Sequence, residues 1–446
     1  MALWTVHGDG RRLGNDEVVR SDERLSWPLT VGLGLQHVVA MAGATILVPT
    51  LTGFPVSTTL LFSGVGTLLF LLITRNRVPS YLGASYAFVA PLVAAHNEGL
   101  AAQFGGVLFA GILLAVVGVA VKALGIRLVD SVMPPIVTGA VIVLIGLNLA
   151  PVAGREVSSG PWPAGITLVV IGLCAVLSKG LLVRLGVLAG VVVGWVVAAL
   201  SGGLDAGRVA ALGAAPWLGM PALHEPQLRP SVMLAVLPAV AVLTAQSVAY
   251  TKAVGGVIGR DLAGNVGDAL IANGLATALS GAGGGAGLTP LGENVGVMAA
   301  TKVYSTATCL AAALGAVVLS FSPKVAALVE TLPAGVIGGM SIVLFGMVVM
   351  VGVRLWLDND VNLADPLNLM VVGTAIVAGA GNVIVNVSWL RLNGIVVGSL
   401  LIVLGYPLLR TLRAIRQRRA ALLADRPTDR PHQPRSRVDE AGVELD

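Results

Sequence analysis

Apolar stretches near 20 residues long recur along this chain from Trp27 to Leu412, separated by short joints that carry its polar residues and many of its glycines. A helix needs about 20 apolar residues to cross the hydrocarbon core of a bilayer, so each stretch reads as one crossing. Fourteen spans are predicted, at 28–50, 56–74, 80–96, 103–124, 133–151, 164–180, 184–201, 231–256, 264–280, 287–301, 303–321, 333–357, 365–382 and 391–412. A helix satisfies its own backbone groups where no water can, and the fold class is an all-α polytopic membrane protein.

Two spans break the pattern. Before span 10, Gly281-Ala282-Gly283-Gly284-Gly285-Ala286-Gly287 is a poor helix interior, because glycine costs about 1 kcal/mol per residue relative to alanine. The chain then runs Thr289-Pro290-Leu291-Gly292-Glu293-Asn294, setting a carboxylate and an amide at membrane depth. Span 3 opens Pro79-Ser80-Tyr81-Leu82-Gly83-Ala84-Ser85-Tyr86, which is also interrupted and polar. Two half-helices, each preceded by extended backbone, are expected to face one another across a midplane pocket, and the extended pieces to pair.

The two halves echo each other. Val137-Thr138-Gly139 through Gly146 matches Ile337-Gly338-Gly339 through Gly346, Leu82-Gly83-Ala84-Ser85 matches Leu291-Gly292-Glu293-Asn294, and Gln36 in span 1 corresponds to Gln246 in span 8. Each offset is seven spans, an odd number, so the repeats are expected to be inverted. The predicted organisation is a cytoplasmic tail 1–27, a first seven-span repeat 28–201, an external linker 202–230, a second repeat 231–412, and a disordered charged tail 413–446.

Composition agrees. The chain is 56% hydrophobic and 11% charged with a mean hydropathy of +0.88, where soluble domains carry about 25% charged residues. Its 57 glycines suit close helix packing in lipid. With the N-terminus inside, the cytoplasmic loops hold Arg75, Arg77, Lys122, Arg127, Lys179, Arg184, Lys252, Arg260, Lys302 and Arg354, against Arg155, Arg208, Arg229, Lys324 and Arg391 outside. Both termini are therefore expected in the cytoplasm. The basic residues flank membrane segments, so a pI near 9.5 does not suggest a nucleic-acid partner. Residues 1–25 are polar and show no cleavable signal. Cys174 and Cys309 lie in apolar runs without metal-ligand spacing and read as small core residues.

Glu293 is the sharpest candidate. A charge at the centre of a spanning helix costs about 2.5–3.5 kcal/mol on insertion scales, so it usually faces a polar cavity. Its carboxylate can accept hydrogen bonds from adjacent N–H groups of a flat heterocycle, and Gly292 lets such a ring approach the backbone. The competing structural reading is a helix N-cap or a buried structural hydrogen-bonder. Asn294 orients that carboxylate or bridges the half-helices. Gln246 and Tyr250, four apart, share one helix face, and the Gln246 amide offers donors and an acceptor; an interhelical bond is the plainer role. Gln36 and His37 pair a polar amide with a proton-responsive ring or a packing histidine. Tyr86 and Phe345 are candidate aromatic walls, and packing is the ordinary role for each.

These stretches resemble the nucleobase–ascorbate transporter (nucleobase:cation symporter-2) family, in particular its bacterial uracil/pyrimidine permease branch. The resemblance covers roughly residues 22–415 and is carried by Asp22-Glu23-Arg24-Leu25, Gly34-Leu35-Gln36-His37, Pro79-Ser80-Tyr81-Leu82-Gly83, Met133-Pro134-Pro135-Ile136-Val137-Thr138-Gly139 and Gly292-Glu293-Asn294-Val295-Gly296-Val297-Met298. It implies a core domain of spans 1–4 and 8–11, a gate domain of spans 5–7 and 12–14, and proton-coupled uptake of a base across the plasma membrane by a homodimer. No cofactor is implied beyond the coupling proton. Glu293 matches the family's substrate-binding carboxylate with Gly292 beside it, Tyr86 a span-3 aromatic, Ala44 a span-1 pocket position and Phe345 a span-12 aromatic. Ser85 is a supporting candidate next to Tyr86. The chain departs from the family in span 8, where Gln246 stands for a glutamate and Tyr250 for a histidine. Gln246 cannot take up a proton near neutral pH, which leaves Glu293, and secondarily His37, for coupling. Uracil-like pyrimidines are the expected substrates, with xanthine or urate second. The alternative is an anion transporter or channel of similar inverted-repeat architecture, since facing half-helix N-termini suit anions. An enzyme is not expected, because no nucleophile–base pair or metal cluster is evident.

Overall fold

In the computed structural model, residues 4–11, 17–125, 134–177, 185–381, 383–387, 390–392 and 394–424 are described. The N-terminal segment is not a free tail. Strand β1 (Thr5–Val6) pairs in parallel with β2 (Glu23–Arg24), Val19 N–H donates to Lys302 O at 3.0 Å, and Trp4 Nε1 donates to the Thr306 hydroxyl at 2.7 Å.

Predicted span 1 divides at Met41 into α1 (Trp27–Ala40) and α2 (Ala42–Thr52). Next come α3 (Val56–Ile73), β3 (Leu82–Ala84), a 3-10 turn at Tyr86–Phe88, and the short α4 (Val89–Ala94). The first half ends with α5 (Leu100–Leu124), α6 (Pro135–Ser159), α7 (Pro161–Leu177) and α8 (Gly186–Leu200). The linker holds α9 (Ala206–Ala214). The second half has α10 (Pro230–Ala235), α11 (Leu237–Ile258), α12 (Val266–Ala282), β4 (Leu288–Pro290) and α13 (Gly292–Thr301). It closes with α14 (Thr306–Ser320), α15 (Pro323–Glu330), α16 (Ala334–Asp358), α17 (Pro366–Ala380), the hairpin β5 (Val385–Val387) and β6 (Leu390–Leu392), and α18 (Gly394–Ala424).

Among the described residues six helical segments are long and apolar enough to cross a membrane, or seven if α14 and α15, bent by 82°, count as one. Predicted spans 3 and 10 hold helices of only 6 and 10 residues. At 1.5 Å per residue neither crosses alone. The architecture is polytopic and helical, and helix length alone does not yield the fourteen predicted crossings. Helix α18 continues past the predicted span end at Leu412 to Ala424, so the predicted tail from residue 413 begins as helix. Residues 425–446, together with Arg127, Lys179 and Arg184, lie outside the described residues.

The helices pack in two groups. In one, α5 lies along α12, α14 along α3, and α1 on α14; in the other, α6 lies along α16, α7 along α8, and α17 along α18. The α5–α12 contact is a glycine seam. Gly111 and Gly118 on α5, and Gly267, Gly274 and Gly281 on α12, recur every seven residues, and each faces the opposite helix. A methyl at Gly274 would overlap Ala115 N, and one at Gly111 would overlap Ala278 N. With no side chain between them the two backbones touch, and small residues drive this kind of packing in lipid. Lys122 and Asp268 form an ion pair at 2.5 Å between the same two helices.

The linker is more ordered than an open loop. His224 N–H donates to Gly283 O at 3.2 Å and Gln227 N–H to Ala101 O at 2.7 Å, so it closes over one end of the α5-containing group.

Candidate functional site

The broken helices meet as the sequence pattern predicts. Helix α12 stops at Ala282, and Gly284 turns the chain with φ +86°, a left-handed conformation that favours glycine. Strand β4 then pairs antiparallel with β3, in register Leu82↔Pro290, Gly83↔Thr289 and Ala84↔Leu288, and Ser85 N–H extends the ladder to Gly287 O at 2.8 Å. All six strand residues are buried.

A two-stranded ribbon leaves open edges that lipid cannot satisfy. Hydroxyl groups from the flanking helices close them. Leu82 N–H donates to Thr67 Oγ1 at 2.8 Å, and the Ser63 hydroxyl donates to Leu82 O. On the other side, Leu288 N–H donates to Thr277 Oγ1 at 3.2 Å, and the same hydroxyl is 3.1 Å from Leu288 O. Each side chain replaces a missing neighbouring strand. Sequence reasoning passed over these residues; their signal is a pair of hydroxyls three or four apart in an apolar helix, Ser63/Thr67 and Thr277/Ser280.

Helix α13 begins directly after the ribbon. Its N-cap is Leu291, which has no side chain able to cap, so Glu293 is not the cap. The first N–H groups of the helix therefore point into the space before it, where the helix dipole favours negative charge. Glu293 sits in this first turn, half-buried, with its carboxylate against its own main-chain N–H. Among the described residues it forms no ion pair. Gly292 beside it is exposed, and no atom lies within 4 Å of where a Cβ would stand. An acid without a cation partner among the described residues, the start of a helix and open space coincide here.

Asn294 takes the bridging role. Fully buried, it donates to Tyr81 O and lies 2.9 Å from His37 Nδ1, tying α13 to α1 and to the approach to β3. His37 is thereby a buried partner in the scaffold, facing Asn294 rather than open space. Gln36 is half-buried, with its Nε2 lacking a partner among the described residues.

Helix α11 packs on β4, on α13 and on the 3-10 turn. It brings in Gln246, half-buried, whose Oε1 accepts from the Thr289 hydroxyl at 3.4 Å. Tyr250, one turn on, is buried and donates to Pro79 O at 3.0 Å, so it braces the segment leading to β3. Thr289 was not anticipated from the sequence; it is the residue of β4 that reaches Gln246.

Tyr86 is buried in the 3-10 turn, within electrostatic reach of Glu293, and Ser85 caps that turn by accepting from Ala87 N–H at 3.3 Å. A Cβ built at Gly43 in α2 would lie 3.9 Å from the Tyr86 hydroxyl and 3.6 Å from Leu344 of α16. The two helix groups thus approach each other beside Tyr86. Ala44, next to Gly43, and Phe345, next to Leu344, are both buried at this junction. No cluster of three or more potential metal ligands occurs among the described residues.

The family model named Xan_ur_permease and described as "Permease family" matches residues 29–388, across both halves and the whole of this site. The chain belongs to the nucleobase:cation symporter-2 family. Members are permeases, so this is a membrane transport protein and not an enzyme. The putative pyrimidine permease RutG of Escherichia coli K12 is 42% identical over 392 residues, covering 85% of this chain and 89% of that protein. The uracil permease of Bacillus caldolyticus is 37% identical over 393 residues (84% and 90%), and that of Escherichia coli K12 is 35% identical over 384 residues (83% and 89%). Among solved structures, the transmembrane domain of a cyanobacterial bicarbonate transporter, BicA, aligns with TM-score 0.53 at 14% identity, covering 83% of this chain and 96% of that one. SLC26A9 aligns with TM-score 0.58 at 13% identity, covering 86% and 66%. These two likenesses show a shared transporter fold.

Proposed function

We propose that this permease imports a uracil-like pyrimidine across the plasma membrane by proton symport, with xanthine or urate as the second substrate class. The observation that carries this reading is the Glu293 carboxylate, half-buried without a cation beside the open space over Gly292. A cyclic imide offers ring N–H donors to that carboxylate. With Gln246 Oε1 engaged by Thr289, Gln246 Nε2 is left to donate to a ring carbonyl. The pair then reads an N–H and a C=O on one flat ring. The names of the relatives support the same substrate class.

Fourteen spans arranged as two inverted repeats fit the packing. Under a seven-span shift the α5–α12 pair, spans 4 and 9, maps onto α14–α3, spans 11 and 2. The two helix groups correspond to a core that holds the site and a gate that includes Phe345. Alternating access follows from their relative movement at the junction beside Tyr86. Glu293 is the one acidic side chain of the site, since Gln246 cannot ionise and His37 is committed to Asn294. It is the residue to which proton coupling is assigned. Cytoplasmic termini and a homodimer complete the reading, to be checked by cysteine accessibility at each end and by cross-linking in membranes.

An anion-transport reading gains only the shared fold, and a carboxylate at the mouth of α13 opposes it. The test is uptake of labelled uracil into cells or sealed vesicles. Replacing Glu293 by Gln removes charge-assisted bonds worth about 1.5–3 kcal/mol, so uracil affinity is expected to fall roughly ten- to hundredfold with membrane insertion intact. Undiminished uptake would remove Glu293 from the site.

A further inference from the structure

The transport site leaves unexplained the arginines at the far end of α18. That helix has 31 residues, about 46 Å at 1.5 Å per residue, against a hydrocarbon core of about 30 Å. Leu404, Leu408 and Leu412 are exposed along it, at 64%, 61% and 52%, and suit contact with acyl chains. Its last turns therefore stand in the headgroup region.

There a groove of about 420 Å³ opens between α18 and Pro134, just ahead of α6. Tyr406, Pro407 and Ile415 give it apolar walls, and Arg410 and Arg418 line it with two guanidinium groups. A third arginine is used differently. Arg413 Nη1 contacts both carboxylate oxygens of Asp365 at 2.8 Å and pins α18 to the start of α17. Neither Arg410 nor Arg418 forms an ion pair among the described residues. Eight residues apart, they are about 12 Å apart along the axis, a gap two long side chains can close on one phosphate.

We infer that this groove is a binding site for the headgroup of an anionic phospholipid. Guanidinium forks match phosphate geometry, and basic pockets between membrane helices at the bilayer surface collect such headgroups. The apolar wall is continuous with the lipid-facing leucines, which favours a lipid over a soluble phosphate. This inference does not depend on the transported substrate.

The experiment is native mass spectrometry of the full-length protein in detergent with added phosphatidylglycerol, phosphatidylcholine or inorganic phosphate. Phosphatidylglycerol is expected to be retained selectively and to bind roughly thirtyfold more weakly in R410Q/R418Q, from two cations near the surface. The exposed pair R75Q/R77Q, with the same charge loss, is expected to leave binding unchanged. Equal loss in both double variants, unchanged retention in R410Q/R418Q, or inorganic phosphate binding as tightly as the lipid would each overturn the site. Should R410Q/R418Q aggregate, R410K/R418K keeps the charge but not the fork, and severalfold weaker retention is expected; unchanged retention again overturns it.

Discussion

Replacing Asn294 by alanine removes the one side chain that joins three parts of the site. Its amide donates to Tyr81 O, and its Oδ1 lies 2.9 Å from His37 Nδ1, all in a fully buried setting. The substitution leaves two buried groups without partners. A polar bond within a membrane bundle is worth about 0.6–1.7 kcal/mol in double-mutant cycles, so the loss comes to about 1–3 kcal/mol. The same change frees the start of α13, and Glu293 loses the neighbour that sets its position. Thermal unfolding in detergent is expected to shift down by a few degrees, and uracil uptake to fall by more than tenfold at unchanged protein level. Asn294→Asp keeps the acceptor for His37 but sets a carboxylate against Tyr81 O, and is expected to be at least as damaging. His37→Ala combined with Asn294→Ala should cost less than the sum of the single changes, because they share one bond. Parental stability and uptake in Asn294→Ala, or full additivity in the pair, would refute the bridging role.

Other expectations follow from separate features. Uptake is expected to slow as the external medium is made alkaline, and a rate indifferent to pH would favour facilitated diffusion over symport. Gln246→Glu restores the carboxylate that the family resemblance places there; it is expected to change the pH profile of uptake, and an unchanged profile would mean that position 246 plays no part in coupling. Gly274→Ala is expected to cost about 1–3 kcal/mol by overpacking against the Ala115 backbone, and Gly274→Leu to abolish membrane accumulation, both read from expression and thermal unfolding. Asp365, just before α17, is held below its ordinary 3.8, first by hydrogen bonding from Arg413 and then by Leu367 N–H. A depressed carboxyl contributes stability above the unfolded value and loses it as pH falls through the folded one. Asp365→Asn should therefore flatten the acid limb of the stability profile, and an unaltered limb would show that the Arg413 contact contributes nothing.

Much of the site could be read in the chain because its departures from helix pattern are local. The glycine run before Thr289 and the polar opening at Pro79 marked both breaks, and the expected pairing of extended pieces is present as β3 and β4. Glu293 and Asn294 stood out because charge and amide are costly in lipid. The closing hydroxyls of Ser63, Thr67 and Thr277 were hidden, since a serine or threonine in a membrane helix usually bonds its own preceding turn. The interruption at Met41 was hidden too: the run through it stays apolar, and hydropathy does not report a one-residue break between α1 and α2. Gln246 was recognised as a polar residue sharing a helix face with Tyr250, but its tie to Thr289 depends on a packing of α11 against β4 that no local pattern encodes. The ordering of the linker, likewise, comes from partners such as Gly283 that lie far away in sequence.

The seam between α5 and α12 limits how this molecule can move. Where main chains lie flush with no rotamers between them, sliding meets a steric wall within a fraction of a turn, so those two rods travel as a single strut. The relative movement proposed above is then expected at the other boundary, where Leu344 meets Gly43. A cross-link across the strut should be silent to transport, while one across that boundary should arrest it.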